Sequence, residues 1–210
     1  MKTPIRALMF LAAVTVAAPA AAETFEVAAA TSNVSFTSDA LLETITGTTT
    51  GISGTIETDL SNPSATTATI QVDVASMNTG VPMRDEHLHG ADWLDAATHP
   101  NITFAIDGVT VPDGTTLAHG VSVDAMVSGT LTIKGTTQDV SVPATVTYYV
   151  IDNPEVAGTY GIDNNVLRVE SAFDVTLADY GISIMAPLRT KVAETINLRI
   201  RLTAVQQAEG

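Results

Sequence analysis

From Val121 to Ile133 every second residue is apolar or small: Val121, Val123, Ala125, Val127, Gly129, Leu131 and Ile133. Ser122, Asp124, Ser128, Thr130 and Thr132 fill all but one of the positions between them, Met126 being the other. Only an extended strand places residues i, i+2 and i+4 on one face, so this alternation predicts a long strand buried on one side. The same pattern returns at Ile70, Val72 and Val74, over Val140–Val150, over Leu167–Leu177 and over Ile196–Leu202. Shorter strands fit Thr24–Ser38, Thr50–Asp59 and Asn101–Val109. Ser61-Asn62-Pro63, Pro112-Asp113-Gly114, Lys134-Gly135 and Asn153-Pro154 supply turn residues between them, with a hairpin expected at Gly135. About eight one-sided strands have to close or stack to hide their edges. An all-β, antiparallel, single-domain fold follows, with no repeat or linker dividing the chain.

One segment interrupts the pattern. Val81–His99 (VPMRDEHLHGADWLDAATH) loses the alternation, and Leu88, Ala91 and Leu94 recur every three residues. With Asp85 as a cap and Pro100 as a stop, it reads as a short helical insert lying across one open end of a barrel.

The N-terminus carries a different signal. Lys2 and Arg6 precede the uncharged stretch Ala7–Ala18, and Ala20-Ala21-Ala22 offers a small-residue cleavage site before Glu23. Residues 1–22 are expected to be a signal peptide and residues 23–210 the folded domain. The apolar run is short for a membrane span and no second one follows, so no membrane insertion is expected after cleavage. Setting Lys2 and Arg6 aside leaves seven basic residues against 23 acidic ones. Such a surface as a whole repels nucleic acid and anionic lipid headgroups and keeps the protein in solution. The chain has no cysteine, which removes thiol chemistry.

Residues able to do chemistry gather in the insert. Arg84, Asp85, His87, His89 and Trp93 lie within ten positions, and His119 is the one histidine outside Val81–Pro100. His87-x-His89 would give zinc two ligands on a strand, but on a helix positions i and i+2 diverge, so no metal site is expected. The chain has no G-x-S-x-G elbow, no H-E-x-x-H and no glycine-rich phosphate loop after a strand, which leaves no case for an enzyme and none for a cofactor. Arg84 has two readings: a structural pairing with Asp85, or a polar handle at a barrel mouth. Trp93 is either a core plug or a ligand contact.

Three stretches carry a family resemblance: MNTGVPMRDEHLHGADWLDAATHPNITF (Met77–Phe104), SGTLTIKGTTQDVSVP (Ser128–Pro143) and ADYGI (Ala178–Ile182). In order and spacing they resemble the motifs of the YceI-like family. Ser32-Asn33 stands where that family has His-Ser, and Tyr180 where it has Phe. The resemblance implies an extended, lipocalin-like, eight-stranded antiparallel barrel, exported to the periplasm, with a polyisoprenoid or quinone-type lipid inside.

The expectation is therefore an exported binding protein rather than an enzyme. Its ligand would meet Arg84, Asp85, His87, Leu88, Trp93 and Tyr180 near the mouth and Phe104, Val127, Leu131 and Phe173 inside. Ala125, Gly129 and Ala144 would leave room for it. A secreted interaction protein with a filled barrel is the first alternative, and a metal-dependent enzyme using His87 and His89 the second. A homodimer stays open at this stage.

Overall fold

A computed structural model describes residues 22–153 and 165–207. The signal peptide expected over residues 1–22 falls outside them except for Ala22, as does Pro154 of the last expected turn. Ten strands form one antiparallel sheet: β1 (Glu23–Val27), β2 (Asn33–Asp39), β3 (Thr44–Thr49), β4 (Ile52–Asp59), β5 (Asn62–Asp73), β6 (Asn101–Thr110), β7 (Ser122–Ile133), β8 (Thr136–Tyr149), β9 (Val166–Thr176) and β10 (Thr195–Gln206). One α-helix, α1 (Pro82–His89), lies between β5 and β6.

The ring closes because β1 pairs with β4 on one side and β10 on the other. Ala204–Gln206 of β10 face β1, whereas Ile196–Arg201 face β2, so β1 and β2 are two halves of one broken stave. β3 pairs with β2 and β4 with β1, which makes β3 and β4 the halves of the next. Ten segments thus build the expected eight-stranded barrel. The strand expected over Thr24–Ser38 is interrupted by a 3-10 turn at Ala29–Thr31. There the Ser32 hydroxyl accepts from Thr203 N at 3.0 Å, bridging the gap in the ladder. β3 was not expected at all. Its sequence, TITGTT, holds one large apolar residue. Its Gly47 lies beneath the ring of its partner Phe36, where a Cβ would fall 2.1 Å from Cζ.

Long strands follow the sequence pattern closely. β7 alternates so that Val123, Ala125, Val127, Leu131 and Ile133 are buried. It turns into β8 through Lys134 (φ 49°) and Gly135 (φ 74°), the two positive-φ positions of a tight type I′ hairpin. The register of β6 on β7 slips between Ile106 and Gly108, directly beside Gly129. A Cβ on Gly129 would sit 2.1 Å from the Ala105 carbonyl oxygen, so this glycine serves close backbone approach and leaves no room for a ligand.

The two ends of the barrel differ. At one end Phe25, Leu117, Tyr148, Leu167 and Ala204 pack into a plug, with the Phe25 and Tyr148 rings edge to face at 6.4 Å. At the other, α1 and residues 90–99 lie over the opening together with the segment between β9 and β10. The helix is shorter than expected. Gly90 ends it by donating to the His87 carbonyl, and residues 90–99 continue as turns, with Leu94 donating to Leu88 and His99 to Asp95. Asp85 is not its cap, because Val81 occupies that position and Pro82 begins the helix. Among the described residues no helix is long and apolar enough to cross a membrane.

Candidate functional site

Between plug and mouth the barrel is hollow. A cavity of about 510 Å³ is lined by inward residues of β2 through β10. That volume lies within the ~300–1,000 Å³ of small-molecule sites. Val169, Phe173, Leu198 and Ile200 point inward yet are only half-buried, because the surface they keep faces the empty space. Ala144 is part of this wall; Ala125 is buried outside it.

The polar side chains of the wall are occupied within the protein. Ser38 Oγ accepts from Ala193 N at 2.8 Å, and Ser171 Oγ donates to the Pro143 carbonyl at 2.6 Å. Thr49 Oγ1 shares a hydrogen bond with Ser76 Oγ and accepts from Gly51 N at 3.0 Å. Toward the mouth His87, Trp93 and Lys191 make no side-chain hydrogen bond among the described residues, and neither does the hydroxyl of Tyr180. Burial, and secondarily the Asp179 carboxylate, raise its pKa above the ordinary tyrosine value. A wall of this kind holds apolar matter well and offers a polar guest almost nothing, since a buried polar group without a partner is costly.

Polarity is concentrated at the mouth. Arg84 donates from Nε to Thr79 Oγ1 at 2.9 Å and from Nη2 to the Thr79 carbonyl at 3.3 Å, and its Nη1 lies 2.9 Å from Glu43 Oε1. Both partners of that ion pair keep solvent contact, so it is worth at most about 1 kcal/mol and acts mainly as a positional tie. Asp85 Oδ1 accepts from Thr79 N at 2.8 Å and from Thr79 Oγ1 at 2.5 Å. The Thr79 hydroxyl is the main reason its carboxyl is held below the usual range. His89 Nε2 lies 2.9 Å from the Met77 carbonyl oxygen. Thr79 therefore connects Arg84 and Asp85 and fixes the start of α1 over the opening.

Nine of the ten expected site residues meet at this cavity: Arg84, His87, Leu88, Trp93 and Tyr180 toward the mouth, Phe104, Val127, Leu131 and Phe173 in the barrel. Asp85 does not line it; its carboxylate is turned to Thr79. The Arg84–Asp85 pairing is likewise replaced by Arg84–Glu43, a partner 41 residues away. Sequence reasoning missed Glu43, Leu188, Lys191 and Val192 at the mouth. Lys191 had one legible signal, being among the few cations of the chain. His87 faces the cavity while His89 binds backbone, so the two do not converge. No three His, Asp or Glu side chains converge among the described residues either.

A model of the YceI-like domain matches residues 25–204, nearly the whole barrel. The chain belongs to the YceI-like family. A protein named YceI from Escherichia coli is 33% identical over 91 residues, a match covering 43% of either chain, so it spans less than half of that relative. An UPF0312 protein of Ectopseudomonas mendocina is 26% identical over 157 residues, covering 73% of this chain and 71% of its own. BcnA of Burkholderia cenocepacia superposes with a TM-score of 0.66 at 24% identity, over 85% of this chain and 99% of its own. A polyisoprenoid binding domain from Saccharophagus degradans also gives 0.66, at 18% identity, over 87% of this chain and 98% of its own. At these identities the structural likeness establishes the YceI-like barrel, and the chemistry inside has to come from this chain's own residues.

Proposed function

We propose that this YceI-like protein is an exported, periplasmic carrier that holds the chain of a polyisoprenoid or quinone-type lipid inside its barrel, without chemical turnover. The cavity carries the proposal: about 510 Å³, apolar along the barrel, plugged at one end and polar at the other. An elongated lipid with a small polar head matches that polarity. Each methylene taken from water contributes about 0.8 kcal/mol. About 15 such groups would contribute about 12 kcal/mol, comparable to the ~4–15 kcal/mol that association costs. Tyr180, Arg84 and His87 are the groups available to a ligand head at the mouth. The polyisoprenoid binding domain of Saccharophagus degradans, with the same fold, supports the same ligand class. Lys2, Arg6 and the stretch Ala7–Ala18 support export.

Organic extraction of the purified protein followed by mass spectrometry tests the ligand. A stoichiometric prenyl lipid is expected. An empty extract, together with no uptake of added prenyl lipid, would overturn the proposal.

A further inference from the structure

The β2–β3 hairpin has an anomalous tip. Asp39 pairs with Thr44, and the four residues between them are Ala40-Leu41-Leu42-Glu43. Hairpin tips favour glycine, asparagine, aspartate and serine, which satisfy turn geometry and water together. Here two adjacent leucines stand in solvent, Leu41 at 83% and Leu42 at 70% exposure. Met83, at 68%, lies in the first turn of α1, and Met185, at 62%, lies between β9 and β10. These are the four most exposed large apolar side chains among the described residues.

All four belong to segments around the mouth. Leu42 N donates to the Thr190 carbonyl at 2.8 Å, joining the hairpin to the β9–β10 segment. Glu43 reaches Arg84 and joins it to α1. Glu43, Met83, Leu188 and Lys191 all border the cavity, so the apolar tips form a rim continuous with the apolar interior. Among the described residues the plugged end has no counterpart to them; the most exposed apolar residue described there, Val121, reaches 53%.

The charge of these tips departs from that of the chain. ALLE (residues 40–43), VPMR (81–84) and MAPLRTK (185–191) carry three cations and one acid, Glu43, in a protein with 23 acidic and nine basic residues. Arg189 and Lys191 are exposed and make no ion pair among the described residues. The one acid in the tips, Glu43, is held by Arg84, which leaves Arg189 and Lys191 uncompensated; beside the tips Asp85 is held by Thr79, and Glu86 and Glu194 lie further along. Exposed apolar side chains backed by cations are the chemistry that inserts into a bilayer interface rich in anionic headgroups. A mouth pressed to that interface would let an oily chain pass from bilayer to barrel without crossing water.

We infer that the Leu41, Leu42, Met83 and Met185 rim, with Arg84, Arg189 and Lys191 behind it, docks the open end of the barrel on an anionic lipid bilayer. This explains how the proposed cargo enters and rests on that reading for its purpose, but not for its test.

The test is co-sedimentation of the full chain with vesicles of phosphatidylcholine alone and of phosphatidylcholine with 30% phosphatidylglycerol, about 30% being a strongly anionic surface. Sedimentation with the anionic vesicles is expected. It should fall at least about fivefold in the Leu41→Ser/Leu42→Ser/Met185→Ser variant, and salt should weaken it by screening. All three positions are exposed, and an unchanged melting temperature would show that the variant folds. The Arg189→Gln/Lys191→Gln variant should lose the preference for phosphatidylglycerol. No sedimentation of the unchanged protein, or undiminished sedimentation of the serine variant, would overturn the inference. So would sedimentation equilibrium showing that the rim instead joins two copies, with the serine variant a monomer. Uptake of prenyl lipid from dilute ethanol separates the two proposals. A serine variant that loads from ethanol but ignores vesicles supports docking, whereas failure of every variant to load would defeat the carrier reading alone.

Discussion

At the scale of single residues, Thr79 organises more than its position in a loop would lead one to expect. Its hydroxyl donates to Asp85 while accepting from Arg84 Nε, and its backbone N–H and carbonyl serve the same two side chains. Replacing it by alanine leaves Asp85 and Arg84 each short of a partner. About 1–2 kcal/mol of stability should be lost, measurable by denaturant unfolding. The pH dependence belongs to Asp85, whose folded pKa is depressed, first by the Thr79 hydroxyl. Its contribution is present above the unfolded value of about 3.9 and fades as pH falls through the lower folded value. In Asp85→Asn this part of the acid sensitivity should vanish, so the melting temperatures of variant and parent should begin to converge once pH falls below about 4. The insert is also where the sequence was least legible. Charge density and the loss of alternation set residues 81–99 apart, and the structure places them over the open end of the barrel. The Arg84–Glu43 pair left no trace, because a contact across 41 residues has no periodicity to reveal it.

At the scale of elements, legibility follows the amount of apolar surface each strand buries. β7, β8, β9 and β10 each present four or more large apolar residues at alternate positions, and the sequence places them closely. β3 offers Ile45 alone, with Gly47 completed by the Phe36 ring of its neighbour, so its pairing information sits on another strand. The interruption at Ala29–Thr31 is hidden for a related reason: alanines and threonine suit strand and turn alike. Gly129 shows the converse error. Its inward position suggested spare volume, but the bulge in β6 brings the Ala105 carbonyl over it. Gly129→Ala should therefore destabilise, by about 1–3 kcal/mol as overpacked sites do, and prenyl-lipid affinity should change only through that loss. Thermal melting checks the first effect and a binding isotherm well below the melting temperature the second.

At the scale of the whole molecule, a closed sheet solves two problems together. It leaves no long unpaired edge, and it gathers the alternating faces around one axis. An eight-stranded ring is just wide enough for its own side chains or for one slim guest. This barrel does both in different places. Phe25, Tyr148 and Leu117 plug one end, and half-buried residues such as Val169 and Ile200 surround a hollow toward the other. The balance between filled and hollow decides between a structural barrel and a carrier. Alternation alone could not reveal it, because an inward valine reads the same against a neighbour or against empty space. The most direct measurement is native mass spectrometry of the protein incubated with a prenyl lipid, beside Val169→Trp/Ile200→Trp, in which two indoles occupy the cavity. The parent should gain the mass of one lipid, and the double variant should remain folded yet gain none. Equal binding by both, or no binding by the parent, would contradict a lipid site inside the barrel.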